Sequence, residues 1–215
     1  AARAAAGDIE ADPAQEAAVA RLDALNERLA TYRLARKSSS LGWLFGSREK
    51  QQDRIKGLYI FGEVGRGKTM LMDMFFDTCP AKRKRRVHFH EFMQEVQERI
   101  NDYRRRIKAG EVKDEDPLAL VAADVAETSW VLCFDEFHVT DIADAMTLGR
   151  LFTRLFDLGV VMVATSNVAP ENLYAGGLNR ALFLPFIALM HERLDILRLS
   201  SRTDYRMEKI AGGTI

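Results

Sequence analysis

Eight consecutive residues, Gly62, Glu63, Val64, Gly65, Arg66, Gly67, Lys68 and Thr69, fit the spacing G-x-x-x-x-G-K-[ST]. Glycines at those places let a backbone wrap closely round an anion, with successive N–H groups pointing inward. A helix opening at Lys68 would aim the partly positive end of its dipole at the same anion. The Lys68 ammonium then reaches the β and γ phosphates of a nucleotide, and the Thr69 hydroxyl offers a hard oxygen to Mg²⁺. The spacing alone is common to several classes of nucleotide-using protein.

Two further positions narrow the chemistry. The apolar run Val131, Leu132, Cys133, Phe134 closes on two acids, Asp135 and Glu136. At the C-terminal end of a strand, Asp135 can hold Mg²⁺ through its water shell. Glu136 beside it can orient and deprotonate an attacking water, which fits hydrolysis rather than transfer to another substrate. A second apolar run, 161–165, ends in Ser166 and Asn167. Asn167 is open to two readings: a sensor bonded to the γ-phosphate and the water, or an ordinary turn former. No Asn-Lys-x-Asp occurs, so guanine recognition has no visible source, and no Leu-Ser-Gly-Gly marks an ABC-type protein. ATP with Mg²⁺ is the expected pairing.

These side chains need strands and helices to converge. Residues 58–61, 86–89, 130–134, 160–165 and 194–199 read as strands. Residues 68–76, 91–108, 117–127 and a segment capped by Thr140 or Asp141 and ended by Gly159 read as helices. In that last helix Ile142, Met146, Leu151, Phe152, Leu155 and Phe156 are expected to face inward. Strands apolar on both faces, alternating with helices, predict a mainly parallel α/β sheet covered on both sides. Ahead of it, a helix begins at Asp12-Pro13 and carries a stripe of Val19, Leu22, Leu25, Leu29 and Tyr32. It gives way to a loop at 37–40. The expected organisation is an N-terminal helix and loop segment over 1–54, a nucleotide-binding core over 55–200, and a short C-terminal remainder over 201–215.

Composition excludes several classes. The 215 residues carry 31 Lys plus Arg against 31 Asp plus Glu, so any basic surface must be local. Two cysteines, Cys79 and Cys133, make no disulfide framework, which favours a reducing compartment. No apolar run approaches the roughly 20 residues needed to span a bilayer. Residues 1–11 have no apolar leader core, and Asp8, Glu10 and Asp12 argue against a transit peptide. The expected location is the cytoplasm.

Three features stay open at this level. The run Lys82 to Arg86 is either a site for nucleic acid or anionic lipid, or a solvated loop whose charge is offset elsewhere. Phe92 and Met93 either form a substrate-gripping pore loop or pack into a core. Trp43, Leu44 and Phe45 either dock on a partner or membrane surface, or plug a gap beside the N-terminal helix. His88, His90, His138 and His191 lack metal-ligand spacing.

In order along the chain, residues 60–70 (IFGEVGRGKTM), 88–93 (HFHEFM), 134–142 (FDEFHVTDI) and 177–187 (GLNRALFLPFI) resemble the AFG-like ATPases. These include bacterial cell-division ATPases and mitochondrial relatives. The similarity runs over about 12–206. It implies an AAA+ P-loop fold, ATP hydrolysis and homo-oligomeric rings. For bacterial members it implies a division-site role with a tubulin-like ring protein, peripheral to the inner membrane. For mitochondrial members it implies protein quality control. By resemblance Lys68, Glu136, Asn167 and Arg180 are the catalytic set, with Arg180 as a finger toward a neighbouring subunit and Arg193 as a weaker second candidate. Thr69 and Asp135 would serve the metal. An AAA+ module also carries a helical lid after its last core strand, and the 200–215 stretch is too short to build one. The function expected on this basis is ATP-driven remodelling of a protein partner. Its rivals are a nucleic-acid-loading ATPase and a nucleotide-gated binding module with little turnover.

Overall fold

Side chains alternate between the two faces of a strand, and in the central strands of this chain both faces are apolar. In the computed structural model, which describes residues 13–38, 55–64 and 67–199, each face is covered by helices. The strands are β1 (Gly57–Gly62), β2 (Lys84–His88), β3 (Val131–Asp135), β4 (Val161–Ser166) and β5 (Leu194–Leu199). They form one sheet in the order β2-β3-β4-β1-β5, and all four pairings are parallel. The helices are α1 (Pro13–Ser38), α2 (Lys68–Thr78), α3 (Phe89–Lys108), α4 (Pro117–Thr128), α5 (Ile142–Asp157) and α6 (Leu184–Arg193). Short 3₁₀ turns at Pro170–Asn172 and Arg180–Leu182 precede α6.

One face buries Leu58, Ile60, Val131, Cys133, Val161 and Val163 against Leu22, Leu25 and Leu29 of α1 and Leu71, Met72 and Phe75 of α2. The other buries Tyr59, Leu132, Phe134, Met162 and Ala164 against α3, α4, α5 and α6. Aromatic rings dominate this second core. Phe89 and Phe137 stand 4.2 Å apart between centroids, and Phe92, Phe134 and Phe152 pack edge-on or tilted around them. The N-terminal helix is thus continuous with the core of the sheet.

The structure corrects several expectations. Helix α1 runs on through Ser38, where a loop was expected from residue 37. Strand β2 begins two residues early, so Lys84, Arg85 and Arg86 belong to it. Asp141, not Thr140, caps α5, its carboxylate accepting from the Ala143 N–H at 2.6 Å. Met146 does not face inward and is 48% exposed. The buried stripe of α5 is Ala145, Leu148, Leu151, Phe152, Leu155 and Phe156, and Met146 sits about 100° round the helix from Ala145. Phe92 and Met93 are buried in the aromatic core, which removes them as a pore loop. Met72 of α2 fills core, while Met70 and Met74 of the same helix are exposed. The 43–45 tip, Gly65, Arg66 and the 201–215 stretch lie outside the described residues. Among the described residues no helix is long and apolar enough to cross a membrane.

Candidate nucleotide site

Parallel pairing brings the C-terminal ends of β1, β3 and β4 to one edge of the sheet. Phe61 is in register with Ser166, and Phe134 with Ala164. The loop after β1, the acids after β3 and Asn167 after β4 therefore open on the same side. Ligands of α/β sheets collect at such an edge.

Helix α2 starts directly behind the β1 loop. Its cap, Gly67, has φ 78° and ψ 15°, a left-handed conformation that a glycine adopts without strain. Gly67 has no side chain with which to cap this end, and the N–H groups of a helix's first turn are donors of the kind that suit an anion. A methyl group at Gly67 would approach Gln15 Nε2 of α1 to 3.0 Å. Lys68 donates from Nζ to the carbonyls of Gly62 and Glu63, both at 2.7 Å. Its ammonium thus lies across the entry to the loop. Thr69 is exposed in the first turn.

The acidic strand end is held from two sides. Arg86 of β2 donates to Asp135 from Nε at 2.7 Å and from Nη2 at 3.3 Å, and from Nη1 to Asp73 of α2. These hydrogen bonds, Asp135 first, raise the Arg86 pKa beyond its usual range and keep the guanidinium charged. Glu136, exposed, has φ 54°. The next residue, Phe137, donates its N–H to the Thr165 carbonyl at 2.7 Å. Ser166 Oγ donates to the Phe137 carbonyl at 2.8 Å and accepts from the Val168 N–H at 3.2 Å. Tyr59 of β1, buried, donates its hydroxyl to the Val168 carbonyl at 2.9 Å. Burial raises the Tyr59 pKa above that of an ordinary tyrosine, so it remains a donor. Asn167 is exposed between two residues fixed in this way.

Lys68, Thr69, Asp135, Glu136 and Asn167 are therefore gathered at one sheet edge, and Arg180 is not joined to them. It lies in the segment between β4 and α6, where it donates from Nη2 to the Glu171 carbonyl, and its buried Nε has no hydrogen-bond partner among the described residues. That segment is built around Tyr174, whose φ is 56°. The Tyr174 hydroxyl donates to the Leu178 carbonyl at 2.9 Å, and its ring packs edge-on against Phe183. A side chain at Gly177 would run into that ring, at 2.3 Å. Arg193 pairs within the chain with Glu192 and, at 3.7 Å, with Asp157.

Arg86, Asp73 and Tyr59 escape a motif search, because each acts through a partner remote in sequence. The basic run also takes on a definite form. Arg83 donates to the carbonyls of Ala126 and Glu127, Lys84 to those of Phe76 and Cys79, and Arg85 to the Glu95 carboxylate. The hydrogen bond from Arg85 holds the Glu95 carboxyl below the usual carboxylate range. Lys84, Arg85 and Arg86 thus belong to an edge strand bound to its neighbours, with Arg83 tied down just ahead of it, where a solvated loop was the other expectation.

A family model described as AFG1-like ATPase matches residues 1–214. The chain belongs to the AFG1-like ATPase family. Over 210 residues it is 39% identical to the cell division protein ZapE of Escherichia coli K12, covering 95% of this chain and 54% of that one. Over 158 residues it is 47% identical to lactation elevated protein 1 homolog B of Danio rerio, covering 72% of this chain and 31% of that one. The chain thus spans about half the length of ZapE, or less of the fish protein. Among solved structures it is similar to DnaI, with a TM-score of 0.54 at 15% identity, covering 89% of this chain and 88% of that one. That likeness concerns the fold. The AFG1-like ATPase resemblance and the mainly parallel α/β sheet read from the sequence both hold.

Proposed function

We propose that this chain hydrolyses ATP to ADP and phosphate in a site completed by a neighbouring copy of itself, and that turnover remodels a protein partner. One observation carries the reading: a helix N-terminus that opens with Lys68 and Thr69 behind a left-handed glycine, a carboxylate pair and an exposed amide all lie at the same sheet edge. The α2 N–H groups and Lys68 bind the phosphates, the ammonium leaving the Gly62 and Glu63 carbonyls for phosphate oxygens. Glu136 takes the proton of the attacking water and Asn167 orients that water. The donor set suits Mg²⁺, since Thr69 supplies a hydroxyl and Asp135 a carboxylate, and that ion ordinarily keeps several waters. When bound, it would neutralise charge on the β and γ phosphates.

Within one copy Arg180 is bonded to the Glu171 carbonyl rather than to this set, and on the family resemblance it acts across an interface. Such an arginine contributes about 10³-fold or more to turnover. The side chains around it, Leu178, Leu182 and Leu184, are 70%, 58% and 46% exposed, an apolar rim suited to a second copy. Head-to-tail contact of this kind closes into a ring when the rotation between copies closes, which is the assembly proposed. Likeness to a cell division protein supports a role in division, and the family resemblance adds the tubulin-like ring protein as the partner proposed. The internal pairing of Arg83 to Arg86 argues against nucleic acid as that partner.

Steady-state ATP hydrolysis measured against protein concentration tests the reading. Specific activity is expected to rise with concentration, and to collapse in both Glu136→Gln and Arg180→Ala. Activity per chain that stays flat, or an Arg180→Ala protein as active as the parent, would refute the shared site.

A further inference from the structure

We propose that Arg86 is the positioning residue for the metal half of this site. By bonding Asp135 of β3 and Asp73 of α2 at once, it sets the separation between Asp135 and Thr69. The inference rests on the nucleotide reading above and adds to it a residue outside all of the motifs.

The topology places Arg86 for this role. It is in register with Cys133 on the adjacent strand, so it shares a face with Cys133 and, two residues on, with Asp135. Helix α2 covers that face. Asp73 is one helical turn beyond Thr69 and so lies on the same side of α2. The two groups suited to Mg²⁺ come from different elements, and nothing covalent near the site fixes their spacing. The Arg86 fork does so with three hydrogen bonds, two to Asp135 and one to Asp73. A guanidinium can bridge two carboxylates in this way, whereas a lysine is a point charge on a flexible stem. Each Asp135 oxygen retains a further lone pair for metal-bound water. Without Arg86, Asp135 would be a half-buried charge with no partner and with freedom to rotate away.

The test is titration of a fluorescent, non-hydrolysable ATP analogue into the full chain, once in excess Mg²⁺ and once in EDTA. The parent is expected to bind more tightly with Mg²⁺. In Arg86→Met that gain should shrink by about 10-fold or more, as losses of groups that orient metal ligands do, with EDTA affinity held within about 2-fold. Arg86→Lys should recover part of the gain. Asp73→Asn, at an exposed carboxylate, should fold normally and lose a smaller share. Three results overturn the inference: an unchanged Mg²⁺ gain in Arg86→Met, a larger gain (Arg86 then competes with the cation), or equal losses in both buffers with earlier melting. Should Arg86→Met not fold, an unchanged gain in Asp73→Asn overturns it alone. A parent with no Mg²⁺-dependent gain at all refutes the nucleotide reading itself, and the inference falls with it.

Discussion

Glu136 holds a left-handed backbone conformation, with φ 54°. For a residue with a Cβ this costs about 1–2 kcal/mol. Its neighbours enforce it: the N–H of Phe137 is spent on the Thr165 carbonyl and its carbonyl on Ser166 Oγ. A strained residue at a site is retained when its side chain is needed there. The expectation is that Glu136→Gly unfolds at a higher urea concentration than Glu136→Gln, by about 1 kcal/mol, while both lose ATP turnover. Equal or reversed midpoints would mean that the turn stores no strain. The lysine shows a related economy: with the Gly62 and Glu63 carbonyls as partners, its ammonium is satisfied before any phosphate arrives.

At the scale of elements, α1 decides how α2, the helix proposed to bind phosphate, is supported. Leu22, Leu25 and Leu29 are buried in the same cluster as Leu71, Met72 and Phe75 of α2 and Ile60 of β1. Leu25→Ala should therefore destabilise the whole chain by about 2–5 kcal/mol, as truncation in a shared core does, and calorimetry should show a single transition moved down. A small low-temperature transition with the main one unmoved would make α1 a separately melting appendage. The stripe that seats α1 was legible in the sequence because helical spacing is local. So were the join from strand β1 to helix α2 and the acids at the end of β3, each contiguous along the chain. Strand β2 was harder to read. Three cationic residues in a row look solvated, yet an edge strand tolerates and even favours charge, and only the pairing of β2 with β3 shows which acid Arg86 meets. Met146 was misplaced for a simpler reason, since it borders the buried stripe of α5 one residue away from Ala145.

For the whole molecule, the question is whether one copy contains a complete site. Within the chain, the two ends of the proposed machinery are anchored separately: Asn167 next to Ser166 at the sheet edge, Arg180 on the Tyr174 turn with a bond to the Glu171 carbonyl. Repeating that arrangement head to tail would set the Arg180 turn of one copy, with Leu178 and Leu182, against the nucleotide edge of the next. Two inactive proteins then become a sensitive probe. Glu136→Gln lacks the base but carries an intact Arg180, and Arg180→Ala has the converse defect. Mixed in equal amounts with random assembly, about a quarter of interfaces would join an intact Glu136 to an intact Arg180. Hydrolysis should reappear at up to about a quarter of the parental rate, and should fade on dilution as the copies separate. If each site were built within one chain, every copy in the mixture would carry one lesion. The mixture would then be no more active than its components at any concentration.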